Sequence, residues 1–262
     1  MEFRPCIDIH NGQVKQIVGS SLDDADDLAR ENFVAAKGAD HYARLYRENG
    51  IRGGHIILLN PASSPYYEED REQALRALAA YPGGLQIGGG VNADNAAAYL
   101  EAGASHVIVT SYVFQDGHIN MEHLNRICRA VGREHLVLDL SCRVRNGCYF
   151  IVTDRWQKFA EEKVEERTLD MLMDYCDEFL IHAVDVEGKS QGIEETLVRQ
   201  LGEWCGRPGR NAVTYAGGVH SYEDIELLRT LGRGKINVTI GSALDIFGGR
   251  LVFEEVLRRI GN

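Results

Sequence analysis

Two aspartates stand in equivalent settings half a chain apart. Asp8 lies within Ile7-Asp8-Ile9 and Asp139 within Leu138-Asp139-Leu140, so 131 residues separate them in a chain of 262. A carboxylate in an apolar strand is costly unless it is solvated, paired or used. A structural role, such as accepting loop N–H groups, would suit either residue alone, but the repeated placement favours catalysis.

Two opposed carboxyl groups can divide acid and base work when their environments separate their pKa values. Such a pair suits an aldose-to-ketose shift of a sugar. The acid opens the ring by protonating its oxygen, and the base removes the C2 proton of the resulting iminium ion, giving an enolamine that becomes the ketose. This reaction needs no redox chemistry, so we expect no cofactor.

Glycine-rich turns repeat at nearly the same spacing as the aspartates. Glycine lets the backbone approach a ligand closely, while hydroxyl groups and free N–H groups bind phosphate oxygens. A single Gly-Gly pair usually marks an ordinary tight turn. Two copies predict two phosphate pockets and a bisphosphorylated small-molecule substrate. The paired positions, 128 or 131 residues apart, are Gly89 with Gly217, Gly90 with Gly218, Thr110 with Gly241 and Ser111 with Ser242.

Neither the cysteines nor the histidines have the spacing of a metal site. The six cysteines contain no Cys-x-x-Cys pair, and in a chain of this length we expect reduced thiols instead of disulfides. His118 and His123 are five residues apart, which is not the four-residue spacing of a helical metal pair. We therefore expect no bound metal ion.

Five further polar residues are candidates for supporting roles: His10, Lys15, Arg143, His182 and Asp185. His10 could orient substrate, although the adjacent Asn11-Gly12 pair is equally typical of a turn. Lys15 and Arg143 could reach a phosphate or carboxamide, but charged loop residues are more often solvated. His182 and Asp185 could support Asp139, with a satisfied buried histidine as the equal alternative. Trp156 could stack on a flat heterocycle or anchor its loop.

The elements that must position these residues alternate regularly along the chain. Short runs of branched apolar residues are separated by stretches with helical spacing, such as 95–102 and 223–231. This alternation predicts an α/β fold, and 262 residues is close to the usual length of a single (β/α)8 TIM barrel. We predict one domain, residues 1–262, made of half-barrels of about 1–131 and 132–262. The eight predicted strands are 3–9, 55–59, 85–87, 106–110, 135–140, 178–183, 211–215 and 235–240.

Parallel strands bring their C-terminal ends to one rim, where barrel active sites are built. The repeat therefore predicts a pseudo-twofold site at that rim. One phosphate pocket would come from strands three and four and a second from strands seven and eight, with an aspartate on each side between them. The stretches 11–32 and 142–165 are too long for simple turns, and we interpret them as lids, with insertions of no function as the alternative.

Charge and hydropathy narrow the classes of partner and compartment. The net charge of −11, without a dense Lys/Arg cluster, argues against nucleic acid. No run of 18 apolar residues occurs, and the N-terminus moves directly into a strand pattern, so we expect neither a membrane span nor a signal peptide. We expect a cytoplasmic monomer that binds its anion locally, through backbone amides.

Several of these segments together carry a family resemblance that covers essentially the whole chain. They read CIDIHNG (6–12), QIGGGV (86–91), VTS (109–111), VLDLSCR (137–143), FLIHA (179–183), DVEG (185–188), YAGG (215–218) and GSALDIFGG (241–249). The chain resembles the eukaryotic-type branch of the histidine-biosynthesis isomerases. These enzymes convert ProFAR, phosphoribosylformimino aminoimidazole carboxamide ribonucleotide, to its ribulosyl isomer PRFAR.

The resemblance implies that Asp8 is the base at C2 and Asp139 the acid that opens the ring, an order that the residues alone leave open. Two positions depart from the bacterial branch of the family. Ala183 stands where a threonine helps to hold the second aspartate, which leaves Ser141, His182 or Asp185 as substitutes. Asn92 stands where an arginine often follows the strand-three glycines, so one phosphate contact would differ.

Two rival functions share these features. The cyclase subunit of imidazole glycerol phosphate synthase is a sister barrel with the same repeat, aspartates and phosphate loops, but it needs a glutaminase partner that supplies ammonia. The match around residues 139–143 favours the isomerase. A non-catalytic phosphosugar-binding barrel is the second rival, because a fold alone never proves chemistry. A side activity on the related tryptophan-pathway substrate is disfavoured by the eukaryotic-type resemblance.

Overall fold

Eight parallel strands form a closed wall in the computed structural model, which describes residues 1–17, 31–154, 156–187 and 191–261. Each strand is hydrogen-bonded to its neighbours in chain order. The wall closes through a parallel bridge between Phe3 and Val238, where the Arg4 N–H donates to the Val238 carbonyl oxygen over 2.8 Å. The strands are β1 Cys6–His10, β2 Gly54–Leu58, β3 Leu85–Gly88, β4 His106–Val109, β5 Leu136–Asp139, β6 Glu178–His182, β7 Ala212–Ala216 and β8 Ile236–Thr239.

An α-helix follows each strand, so the prediction of a (β/α)8 barrel is confirmed. The helices expected over 95–102 and 223–231 are present as Ala96–Glu101 and Tyr222–Leu231. The second of them begins at a capping box formed by Ser221 and Asp224. Within the described ranges, no helix has the length and apolar character needed to span a membrane. The helices are α1 Ala39–Glu48, α2 Tyr67–Ala80, α3 Ala96–Glu101, α4 Met121–Val131, α5 Glu166–Leu172, α6 Glu195–Cys205, α7 Tyr222–Leu231 and α8 Phe253–Ile260.

Apolar side chains pack on both faces of the strands, as a parallel sheet covered by helices requires. The main core includes Phe3, Tyr46 and Phe179, which are fully buried. A separate small cluster consists of Ile57, Ile108, Val137 and Leu180. Because Ile57 and Ile108 also line the mouth of the barrel, this cluster forms the floor on which the site rests.

A buried carboxylate closes the opposite, N-terminal end of the barrel. Glu178, the first residue of β6, is buried and accepts a hydrogen bond from Gln86 Nε2 over 2.7 Å. It also accepts hydrogen bonds from Arg4 and Thr214. A buried charge is tolerable only when it is paired in this way. This end therefore serves stability, and the other end is free for chemistry.

Additional strands extend from the C-terminal side of the wall, and three of their hairpins close on two-residue turns. The turns Asn11-Gly12, Asp116-Gly117 and Asn146-Gly147 have positive φ at both positions, as type I′ turns require. Both segments interpreted as lids contain β structure, although residues 18–30 and 155 lie outside the described part. The added strands are Gln13–Ile17 with Glu31–Val34, Phe114–Gln115 with His118–Ile119, and the sheet of Cys142–Arg145, Cys148–Thr153 and Lys158–Lys163.

Candidate active site

Two cavities open at the C-terminal mouth of the barrel. The one at the ends of β7 and β8 is the β7/β8 compartment. The one at the ends of β3 and β4, the β3/β4 compartment, is larger and more open. Ile57, Leu59, Asp139 and Trp156 line both. The mouth is therefore a pair of compartments that meet at Asp139, which suits an elongated ligand with two similar ends.

The structure distributes the eight predicted phosphate-binding residues between these compartments as the repeat requires. Half of them come from each half of the chain. Gly89, Gly90, Thr110 and Ser111 line the β3/β4 compartment, and Gly217, Gly218, Gly241 and Ser242 line the β7/β8 compartment.

The glycine pairs have a backbone conformation and a tight packing that favour glycine. Gly89 and Gly90 have φ of +97° and +69°, and Gly217 and Gly218 have φ of +125° and +77°. A Cβ atom at Gly89 would lie 2.1 Å from the Leu58 carbonyl oxygen, and one at Gly218 would lie 2.0 Å from the Gly192 carbonyl oxygen. At Gly89 and Gly218 the turns therefore pack closely against neighbouring backbone, which leaves no room for a side chain.

Asp8 lines the β7/β8 compartment from the middle of β1. The strand continues two residues beyond Asp8, to His10, because Gln13–Ile17 folds back on β1 and extends the pairing. The Cys6 thiol donates to Asp8 Oδ2 over 3.5 Å, and Gln16 Nε2 donates to the same oxygen over 3.4 Å. Burial, together with the charge of Glu187, raises the pKa of Asp8 to about 7.

Asp139 ends β5 and has cationic and hydrogen-bonding neighbours. Its Oδ1 accepts from Ser141 Oγ over 2.8 Å and lies 3.4 Å from His182 Nδ1. Burial alone would raise the pKa of Asp139. The charge of His182 and the hydrogen bonds of His182, Ser141 and Thr110 outweigh it and hold the pKa below its ordinary value. Asp139 is therefore ionised at neutral pH.

Two histidines that line the β7/β8 compartment differ in charge. Burial would lower the pKa of His182, but Asp139 outweighs it and raises the pKa to about 9. His55 lies with its ring centroid 6.2 Å from that of His182, and burial with this cationic neighbour lowers its pKa to about 3. At neutral pH, His55 is uncharged. The Asp139–His182 pair carries one proton, which belongs to the pair as a unit.

Trp156 reaches the site from the second of the two segments interpreted as lids. Its Nε1 donates to Ser141 Oγ over 3.0 Å, and its ring centroid lies 6.1 Å from that of His182. Since Ser141 in turn donates to Asp139, Trp156 anchors its loop directly to the support of that aspartate. The ring still lines both compartments and can face a flat ligand there.

Ser141 and His182 contact Asp139, and they were two of the three proposed substitutes for the threonine that Ala183 replaces. Asp185 pairs instead with Arg143, whose Nε lies 3.0 Å from Asp185 Oδ1. Asp185 Oδ2 also accepts from the Val144 N–H over 2.8 Å. Neither Arg143 nor Asp185 lines either compartment.

His10 and Lys15 do not line either compartment. Both side chains are buried. The turn between them is held by Asn60, which lines the β3/β4 compartment, and by Asp70 of α2. The Asn11 N–H donates to Asn60 Oδ1 over 2.8 Å, and the Gly12 N–H donates to Asp70 Oδ1 over 2.7 Å. The turn interpretation of Asn11-Gly12 therefore fits the observed hairpin, and roles for His10 and Lys15 at the substrate remain predictions.

Four residues at the site were not singled out from the sequence: Cys6, Gln16, His55 and Glu187. Cys6 precedes Asp8 by two residues, so strand alternation places both on one face. Glu187 stood within the DVEG segment, and burial raises its pKa. No sequence signal pointed to Gln16 or His55. Among the residues that the structure describes, no three His, Cys, Asp or Glu side chains are grouped to hold a metal ion.

A duplicated (β/α)8-barrel mouth with two glycine-turn compartments and a carboxylate from each half is the arrangement expected of a barrel that binds a phosphorylated sugar and carries out acid-base chemistry. Comparison with known proteins narrows this class. The chain belongs to the histidine biosynthesis protein family, whose model matches residues 2–251.

Relatives from plants and fungi match over nearly the whole chain. A chloroplastic protein of Medicago truncatula is 52% identical over 261 residues, which cover 98% of this chain and 81% of the relative. A Neurospora crassa protein is 47% identical, covering 95% and 93%. A Saccharomyces cerevisiae protein is 41% identical, covering 98% and 97%. All three are named 1-(5-phosphoribosyl)-5-((5-phosphoribosylamino)methylideneamino)imidazole-4-carboxamide isomerase.

Proposed function

We propose that this chain isomerises ProFAR to PRFAR in histidine biosynthesis. The observation that carries the proposal is the junction of the two compartments, where Asp139 lines both and Asp8 faces the same space. The substrate has a phosphate at each end and the reacting ribose between them. Relatives that are 41–52% identical and carry this isomerase name support the same reaction.

The two phosphates would bind at the glycine turns, one in each compartment. Turn N–H groups and the hydroxyls of Ser111 and Ser242 are the donors available there. Binding both ends fixes the ribose near the shared residues, so the reacting atoms are oriented before chemistry begins. An overall acidic protein can bind a bisphosphate in this way because these donors act locally.

Ring opening begins on the side of Asp139. A proton passes from the Asp139–His182 pair to the ring oxygen, the C1–O bond breaks, and the nitrogen lone pair forms the C1=N iminium bond. Because His182 is protonated at neutral pH, it can supply through Asp139 the proton that Asp139 alone lacks. Asp139 is then the group that protonates the ring oxygen, and His182 is the source of the proton.

Asp8 completes the isomerisation by taking the C2 proton. The C2–H electrons form a C1=C2 double bond, and the iminium nitrogen becomes neutral. Protonation of the resulting enolamine at C1 and loss of the C2 hydroxyl proton give the ketose, so no electrons leave the substrate. A pKa of about 7 makes Asp8 a much stronger base than an ordinary carboxylate, while leaving it substantially ionised at neutral pH.

The direct test is to incubate the purified protein with ProFAR in the absence of ammonia and of any glutaminase. We expect PRFAR to accumulate. Chromatography separates it from ProFAR, and mass spectrometry should give the same mass for both compounds. No conversion of ProFAR would reject the isomerase. In a separate incubation with PRFAR, consumption of PRFAR that requires added ammonia would instead identify a cyclase. Binding of ProFAR without conversion would identify a non-catalytic barrel.

We also propose that the enzyme acts as a cytoplasmic monomer. All six cysteines are free thiols, which suits a reducing compartment. Both aspartates and both pairs of glycine turns come from this one chain. Sedimentation of the active protein tests the monomer, and cell fractionation with the isomerase assay tests the compartment.

A further inference from the structure

Gln16 is a buried residue beside Asp8 that the proposed reaction does not use. It lies on the strand that folds back on β1, and its side-chain amide contacts two residues of β1. Nε2 lies 3.4 Å from Asp8 Oδ2 and 3.6 Å from Cys6 Sγ. Both distances are long for strong hydrogen bonds, so the amide constrains the carboxylate more by its position than by bond strength.

The other end of the same amide faces the phosphate turn after β8. A Cβ atom at Gly241 would lie 2.4 Å from Gln16 Oε1 and 3.0 Å from Cys6 Sγ. Gly241 does not have a positive φ, so its backbone conformation does not require glycine. Space does: the absent side chain leaves room for the Gln16 amide between the turn and Asp8.

We propose that Gln16 is a positioning residue, whose amide fills the space beside Gly241 and holds the Asp8 carboxylate in place at the β7/β8 compartment. This inference rests on the proposed isomerase function and adds to it a residue that does not touch the reacting atoms. It also links the phosphate turn to the base, because the same amide packs against both.

Besides the neutral amide of Gln16, several charged or titratable groups face Asp8. Glu187 and Cys6 surround it with groups whose own pKa values are raised by burial, and His182 faces it from β6. Tyr46, from α1, donates to the Cys6 carbonyl oxygen over 3.0 Å and has a pKa raised by burial. Gln16, like the Cys6 thiol, is an uncharged donor to Asp8, but its amide does not titrate. A donor to a carboxylate favours its ionised form.

The test replaces Gln16 by methionine, which keeps the length of the side chain and removes its polar atoms. We expect kcat to fall about tenfold with KM changed less than about twofold, since the amide no longer holds the Asp8 carboxylate in position. The Asp8 carboxyl should also titrate at a higher pH, because a donor to its ionised form is lost. Carbon-13 NMR follows that carboxyl, with its signal identified by its absence in Asp8→Asn.

The matched control is Gln86→Met at the other end of the barrel. Gln86 is also buried and also donates to a carboxylate, Glu178, over 2.7 Å. This variant should lower the thermal stability and leave the Asp8 titration unchanged. An unchanged Asp8 titration in Gln16→Met, or an equal shift in Gln86→Met, would overturn the positioning role.

A second variant keeps the test decisive if Gln16→Met folds poorly. Gln16→Glu preserves the shape and brings another carboxyl toward Asp8, so the Asp8 titration should again move upward. No movement would show that residue 16 does not face Asp8. The NMR titration needs no turnover, so it tests the contact between Gln16 and Asp8 separately from the isomerase function. A wild-type protein that does not convert ProFAR would reject the proposed function, and the titration would still show whether Gln16 acts on Asp8.

Discussion

Asp8 on β1 and Asp139 on β5 occupy corresponding strands in the two halves of the barrel, but their neighbours differ. Glu187, Cys6 and Gln16 surround Asp8, while Asp139 has His182, Ser141 and Thr110. At Asp8, burial and the charge of Glu187 outweigh the charge of His182, and the pKa rises to about 7. A cationic imidazole reverses the effect of burial at Asp139, and its pKa falls.

The contrast shows how a duplicated scaffold can support an asymmetric reaction. The repeat provides two backbone positions and two phosphate compartments that are nearly equivalent. Acid-base catalysis needs two groups that are not equivalent, since one must give a proton where the other takes one. A few substitutions around each aspartate, above all His182 on one side and Glu187 on the other, create that difference without altering the fold.

Removing either carboxylate should have the largest effect. We expect Asp8→Asn and Asp139→Asn each to lower kcat by about a thousandfold or more, because general acid or base catalysis is lost while shape is retained. The measurement is steady-state turnover of ProFAR, with product affinity from calorimetry as the control for binding. Near-normal turnover in either variant would remove that residue from the mechanism.

The next largest effect is expected from His182→Gln, which removes the cation that distinguishes the Asp139 side. The proton reservoir is lost, and the pKa of Asp139 should rise as its positive neighbour disappears. We expect kcat to fall about a hundredfold, within the range for a lost proton donor. Turnover and carboxyl NMR measure this together. If kcat were unchanged, Asp139 would not depend on His182 for its proton.

The pH profile sharpens the assignment of base and acid. Asp8 loses its proton above pH about 7, so with Asp8 as base kcat/KM should fall about tenfold per pH unit below that point. His182 keeps its proton up to pH about 9, so activity should decline above it. A profile that instead falls above pH 7 and stays high at lower pH would reverse the two roles.

The smallest expected effect compares two equivalent glycines of the phosphate turns. Gly90 and Gly218 both have positive φ, but a Cβ atom at Gly90 meets only Tyr67, at 3.6 Å or more, whereas one at Gly218 overlaps the Gly192 carbonyl. We expect Gly90→Ala to lower the free energy of unfolding by about 1 kcal/mol and Gly218→Ala by about 3 kcal/mol. Urea denaturation measures both losses, and equal values would mean that the second turn relaxes.

The order of elements and the location of the site could be read from local patterns. All eight predicted strands correspond to barrel strands, because near-continuous branched apolar runs are typical of strands buried on both faces. The Asn-Gly pairs at 11–12 and 146–147 also carry a hairpin signal in the sequence. Residues such as His55 and Gln16 escaped because their role depends on neighbours that are distant in the chain.

The amino-acid sequence by itself determined the barrel, the duplicated aspartates and the paired glycine turns, since each depends on residue type and spacing within a short segment or on a half-chain repeat. Only the tertiary structure decided that His182 pairs with Asp139, that Arg143 pairs with Asp185, and that Gln16 lies between Asp8 and Gly241. The reason is physical. Burial and charge pairing depend on distances between side chains from different strands, and closing the barrel sets those distances.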